Sequence, residues 1–299
     1  MMSFDTTTVE VVLFLGLTLV AWSWLNNPIK SYNSPNWIPV LGNFIPMAKN
    51  LPNFNIWVWE VSEKFMGKPW ALHAPFQKVR IISNDPETVQ YILKDNFENF
   101  DKGDTFHQSL KPLLGDGIFN VDGETWRVQR KKTSRIFTGK NFREFISKVS
   151  FEEAGGLNCY LKEAAKAKKT IDIHDVFHRM TMDTFCRIAF GYNANSLSST
   201  STPPFALAFN RVQHVLAQRL LVPGWKVLEL LNGVRTKLNS DLKVTDELIY
   251  KIINQRKNDP HKEDHHDLLS LYLGVAEDAD GQKSDEYLRD MVMNIILAG

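Results

Sequence analysis

The pattern of apolar and polar positions changes character along the chain, and each change predicts an element. Val9 to Leu25 is apolar apart from Glu10, Thr18 and Ser23, a run with no polar face that predicts an N-terminal membrane anchor helix. As a helix it reaches roughly 26 Å, just short of the ~30 Å hydrocarbon layer, and Trp22 and Trp24 suit an interface. The rival reading is a cleaved signal peptide. Ala21-Trp22-Ser23 has the small-x-small form of a cleavage site, while Asp5 and Glu10 stand where a basic leader is expected. Lys30 is the first basic residue and follows the span, which places the body on the cytosolic side.

Beyond the anchor the periodicity breaks. Pro28, Pro35, Pro39 and Pro46, with Gly42 among them, predict an extended, stiff hinge from Asn26 to Pro46. Trp70 to Ala74 and Lys78 to Ser83 read as two short strands joined by a turn at Pro75 to Gln77. Asp85-Pro86-Glu87 supplies a capping acid, a proline at the first helical position and an acid in the first turn, which predicts a short helix. From Asp122 onward helical spacing predominates: Gly123 to Phe137, Phe142 to Ala165, His174 to Phe190, Phe205 to Leu221, Leu238 to Arg256 and Asp267 to Leu273. The interruptions are the Ser/Thr/Pro tract Ser196 to Pro204, Pro223-Gly224 and the charged loop Lys257 to Asp264. A last helix starts at Ser284, and beyond Asn294 it is apolar all round. The fold class is therefore mainly α with a small β element near the start. Its organisation reads as an anchor over residues 1–27, a proline-rich hinge over 28–50 and one body over 51–299.

Composition narrows the function classes. The 299 residues carry 35 Lys+Arg against 34 Asp+Glu, a net charge of +1, which argues against a nucleic-acid binder that works by whole-chain charge. Cys159 and Cys186 are the two cysteines. They are too few for a disulfide framework and lack the paired spacing of a zinc site, and they read as inert core or surface thiols. His261, His265 and His266 with Asp264 and Asp267 resemble a metal cluster in composition but read as a solvated loop. His174 and His178 read as structural for want of a third ligand. Gly115-Asp116-Gly117 lacks the strand-loop-helix setting of a phosphate loop.

The most informative stretch is Leu113 to Phe137. Trp126 and Arg130 are one helical turn apart, so an indole N–H and a guanidinium can address one anionic group such as a carboxylate pair. Arg127, Lys131 and Arg135 form a second, basic face about 100° around the helix, suited to an acidic protein partner or anionic lipid. The plainer alternative is a solvated basic helix with Trp126 in the core.

GDGIFNVDGETWRVQRK at Gly115 to Lys131 resembles the helix of the cytochrome P450 superfamily that carries a tryptophan-x-x-x-arginine haem-propionate motif. The resemblance is colinear over essentially the whole chain: anchor, hinge, strand pair, the Asn84-Asp85-Pro86 helix, MDTFCRIAFG at Met182 to Gly191, DLLSLYL at Asp267 to Leu273 and NIILAG at Asn294 to Gly299. It implies an incomplete cytochrome P450 fold truncated in its central helix. Trp126 and Arg130 would bind the haem propionates, and Ala298 and Gly299 would line the groove where oxygen meets the iron. Phe106, Leu110, Leu114 and Phe119 would line part of a pocket for a lipophilic substrate. In the family an acid and a threonine, a glutamate-x-x-arginine clamp and the iron-ligating cysteine follow the alanine-glycine pair, so they are expected beyond Gly299.

The resemblance further implies a haem-thiolate monooxygenase that inserts oxygen into a C–H bond, closest in look to the fatty-acid hydroxylase branch. NADPH would act through a separate reductase docking on Arg127, Lys131 and Arg135, and the anchor would hold the body on the cytosolic side of the endoplasmic reticulum membrane. The chain alone is expected to be an inactive fragment. The alternative is a non-catalytic, membrane-anchored helical binding protein or a pseudogene remnant. Against it stands the expectation that Ile295, Ile296 and Leu297 would meet water without further chain to cover them.

Overall fold

Helices dominate, and most begin and end where the sequence punctuates them. The computed structural model describes residues 6–75, 77–198, 203–222, 224–261, 264–280 and 284–298. They divide into two units, Met1–Phe100 with Leu221–Val227, and Asp101–Leu220 with Leu228–Gly299.

The first unit opens with α1 (Thr6–Leu25), whose Phe14, Leu15, Leu17, Trp22 and Trp24 are exposed. Among the described residues no helix is long and apolar enough to cross a membrane. Irregular backbone follows, as the prolines require, but only as far as Asn43. The last part of the expected hinge is α2 (Phe44–Asn50). Pro46 lies in the first turn of that helix, where its missing N–H leaves no intrahelical bond unmade.

Next come α3 (Phe54–Lys64), β1 (Trp70–Leu72) and β2 (Arg80–Ile82). The strands pair antiparallel with Trp70 opposite Ile82 and Leu72 opposite Arg80. A small aromatic core of Met47, Trp57, Val61, Trp70, Leu72 and Ala74 holds this unit. Its Trp57 and Trp70 rings meet edge to face at 6.1 Å, and Trp70 Nε1 donates to Ser62 Oγ at 2.9 Å. Asn43 staples the irregular segment to the strand pair, donating to Pro35 O at 2.6 Å and accepting from His73 N at 2.9 Å. The short α4 (Pro86–Gln90) starts as its sequence predicts, with the Asp85 carboxylate accepting from Thr88 N at 2.9 Å.

The second unit comprises α5 (Gly103–Leu114), α6 (Gly123–Thr138), α7 (Lys140–Lys166), α8 (Ile173–Phe190) and α9 (Pro204–Arg219). After α10 (Trp225–Leu231), which crosses the division between units, come α11 (Val234–Lys257), α12 (Leu268–Asp280) and α13 (Asp285–Ala298). The core joins residues of α5 to α9 and α11 to α13, among them Leu114, Val149, Phe190, Leu216, Ile253, Leu269 and Met291.

Buried ion pairs brace it, among them Arg219 with Glu229 and Arg256 with Asp267. Arg219 donates from Nε and Nη2 to the Glu229 carboxylate at 2.7 and 2.8 Å. Arg256 pairs with Asp267 and donates to Phe190 O at 2.9 Å, which closes the end of α8. Gly191 follows there with φ +63°, the left-handed turn that ends the helix, and a Cβ at that position would crowd the Arg256 guanidinium.

One expectation is corrected in this core. Ile295 and Ile296 do not meet water: each is 8% exposed, because α13 packs against α5, α8, α11 and α12. Leu297 alone of the three stays open, at 37%.

Candidate functional site

The pair singled out from the sequence lies on α6. Trp126 is half-buried and Arg130, one turn later, is exposed. The Arg130 side chain makes no hydrogen bond or ion pair among the described residues, so its donors are free for an anion. Arg127, Lys131 and Arg135 are exposed on the neighbouring face, where Arg127 meets Glu124 at 3.2 Å. Three inward anchors hold α6. Gln129 Nε2 donates to Asp116 O at 2.8 Å, Thr133 Oγ1 and Tyr272 Oη share a hydrogen bond of 2.5 Å, and Ile136 is buried. Burial pushes the Tyr272 phenol up to about 12, so it stays a neutral hydrogen-bonding strut.

The loop that feeds α6 is gripped by α13, a feature the sequence reading did not anticipate. Asp290 accepts from Asp116 N at 2.8 Å. Asn294, fully buried, accepts from Phe119 N at 2.9 Å and donates to Leu114 O at 2.8 Å. Arg289 donates to Leu113 O at 2.7 Å and Pro112 O at 3.1 Å while pairing with Asp246 and Asp290. Burial alone would lower Arg289, but Asp246 and Asp290 outweigh it and hold the guanidinium above its usual value. Burial also raises the Asp290 carboxyl, against the opposing pull of the Asp116 N–H and Arg289.

The approach is close enough that a Cβ on Gly115 would fall within the Asp290 carboxylate and one on Gly117 within the Asn294 amide. Gly115 and Gly117 are therefore seats for two polar side chains rather than a phosphate cradle. Arg289, Asp290 and Asn294, set among the apolar Leu288, Met291, Val292, Ile295 and Ile296 of α13, were the available signal.

The predicted pocket residues scatter by burial. Leu114, 2% exposed, belongs to the core and Leu110 packs against it. Phe106 is half-buried, and Phe119 is 42% exposed. A cavity of about 710 Å³ lies elsewhere, between the end of α7 and the start of α8. Its walls mix charged groups, including Glu153, Asp172, Asp175, Arg179 and Asp183, with apolar Ile171, Val176 and Leu197. Ala298 ends α13 and is exposed; Gly299 lies outside the described residues.

Cys186 offers no available thiolate. Cys186 is buried, and burial, with Asp183 nearby, pushes its thiol up to about 12. Cys159 is exposed on α7. In the charged loop His265 Nε2 sits 2.8 Å from Asp259, and Asp267 is committed to Arg256. Among the described residues no group of three or more His, Cys, Asp or Glu side chains could hold a metal ion.

With this geometry in place, comparison with known proteins identifies the family. The cytochrome P450 family profile matches residues 33–299. Cytochrome P450 704B1 of Arabidopsis thaliana is 30% identical over 97% of this chain and 58% of its own length. Cytochrome P450 94A2 of Vicia sativa is 34% identical over 93% of this chain and 54% of its own. The chain thus spans about half the length of the curated relatives it matches. The heme domain of cytochrome P450DA shares its fold, with a TM-score of 0.70 at 21% identity over 90% of this chain and 56% of that one. A colinear match over nearly the whole sequence, with a mainly helical fold of the same kind, shows that the chain belongs to the cytochrome P450 family.

Proposed function

We propose that the polypeptide carrying these residues is a haem-dependent monooxygenase that places one oxygen atom from O2 on a lipophilic substrate, with fatty-acid hydroxylation as the preferred reaction. The observation that carries this reading is Arg130, an exposed guanidinium with no side-chain partner among the described residues, one turn from the half-buried indole of Trp126. That donor set fits a pair of carboxylates, the chemistry of haem propionates. When bound, haem supplies the oxygen activation and redox chemistry that no side chain provides.

This chain's own residues bind and orient. Arg130 contributes a charge-assisted hydrogen bond worth about 1.5 to 3 kcal/mol, and Trp126 lies one turn before it on α6. Asp290 and Asn294 fix the loop from which α6 starts. Ala298, with Gly299, would line the groove where oxygen meets the haem, and Phe106 and Phe119 would form the apolar side of the substrate site, backed by Leu114 of the core and Leu110 packed against it. No catalytic residue is assigned among the 299. With Cys186 buried and its thiol pushed up to about 12, and Cys159 exposed on α7, we assign the iron's thiolate to neither, and residues 1–299 alone are inactive in this reading.

Electrons come from NADPH through a reductase whose acidic surface meets Arg127, Lys131 and Arg135. The exposed apolar side chains of α1, with Trp22 and Trp24 at its end, associate the protein with the endoplasmic reticulum membrane. Incubating the haem-loaded holoprotein with a reductase, NADPH and a long-chain fatty acid tests the reading. Hydroxylated product is expected, and its absence across fatty acids of varied length with the haem reduced normally would overturn the substrate assignment.

A further inference from the structure

His174 and His178 read from the sequence as structural, yet both are exposed on the opening turns of α8. Their rings stand edge to face with centroids 4.4 Å apart. Neither imidazole makes a hydrogen bond or ion pair among the described residues; both residues bond through their backbone, His174 N donating to the Asp172 carboxylate and His178 O accepting from Thr181 Oγ1. Nearby carboxylates are occupied, Asp175 by Arg179 Nε at 2.8 Å and Asp172 by the amides of His174 and Asp175.

Two imidazoles at this spacing on one helical face can turn a ring nitrogen each toward a single ion, since the side chains are free in solvent and their Cβ atoms are separated by one turn. Imidazole nitrogen selects borderline divalent ions such as Cu2+, Ni2+ and Zn2+ over the hard ions Mg2+ and Ca2+.

We propose that His174 and His178 form a two-imidazole chelate for a borderline divalent transition metal on the solvent face of α8, with water completing the coordination shell. The helix pre-arranges the second ligand, so the second bond forms at high effective concentration and the pair binds far more tightly than either ring alone. The ion ties the first turn of α8 to the second and stabilises the helix start in proportion to its occupancy.

The test uses the full chain and Cu2+ as the probe. Electron paramagnetic resonance of the bound ion should show two nitrogen donors, and His174→Ala or His178→Ala should each weaken binding by at least about tenfold. Because both side chains are exposed, neither substitution should change the circular dichroism. The double variant His265→Ala/His266→Ala should bind as the parent does, and Mg2+ should not compete. Binding unchanged in both single variants, or lost in the loop double variant, would overturn the proposal.

Discussion

At the scale of single residues, the seats at Gly115 and Gly117 explain why the Gly-Asp-Gly spacing exists. A side chain at residue 117 must displace Asn294, the residue that satisfies Phe119 N and Leu114 O. Gly117→Ala is therefore expected to lower stability by about 1 to 3 kcal/mol, the usual range for forcing atoms into a packed site. Urea unfolding of the parent and variant measures it, and a change within about 0.5 kcal/mol, the usual surface value, would contradict the packing described.

A second residue-level prediction concerns pH. The Arg211 guanidinium donates to both Asp241 oxygens and, against some burial, holds the carboxyl below its usual 3.8. A carboxyl depressed in the folded state stabilises it above the unfolded value and loses that contribution as pH falls through the folded value. The stability gap between the parent and Asp241→Asn should accordingly shrink as pH is lowered below 3.8. Urea midpoints taken between about pH 3 and pH 6 would show it, and a gap that stays constant through that window would contradict the assignment.

At the scale of elements, what the sequence disclosed follows from how local each signal is. The cap at Asp85, the strand pair around Pro75 and the helices from Gly123 onward other than α10 could be read because each is specified by its own residues. The helices α2, α3, α5 and α10 were not assigned. Pro46 and Pro112 sit inside two of them and obscure a period that only packing completes. The α13 grip was hidden for a different reason: Asp290 and Asn294 find their partners more than 170 residues away in sequence. The placement of Trp126 and Arg130 one turn apart on α6 was legible because it is local; the partners of Phe119 and Leu114 were not.

Element packing also yields a test. Arg256 joins α11 to the end of α8 and to Asp267 just before α12. Arg256→Met leaves Asp267 buried without its counter-ion and should cost about 3 to 5 kcal/mol. Adding Asp267→Leu should recover much of that loss, since replacing both partners removes the uncompensated charge. No recovery in the double variant would show that the bond to Phe190 O, rather than the charge pair, carries the brace.

At the scale of the whole molecule, the second unit presents an outward side of α6 that is cationic and an inward side tied down at Gln129, Thr133 and Ile136. Under the proposed function, that division would let one helix hold a cofactor carboxylate and still offer a basic surface to a partner. The burial of Ile295 and Ile296 shows that α13 is housed by these residues themselves, so the grip on the loop before α6 is a property of this chain.

The central claim is that Arg130 holds a haem propionate, and the rate of haem loss tests it most directly. In the holoprotein, haem transfer to an excess of an apo-globin acceptor should be roughly ten- to a hundredfold faster for Arg130→Leu than for the parent, the kinetic equivalent of losing one charge-assisted bond. Arg135→Leu, on the basic face of the same helix, should leave the rate unchanged. Equal rates for the parent and Arg130→Leu would contradict the account.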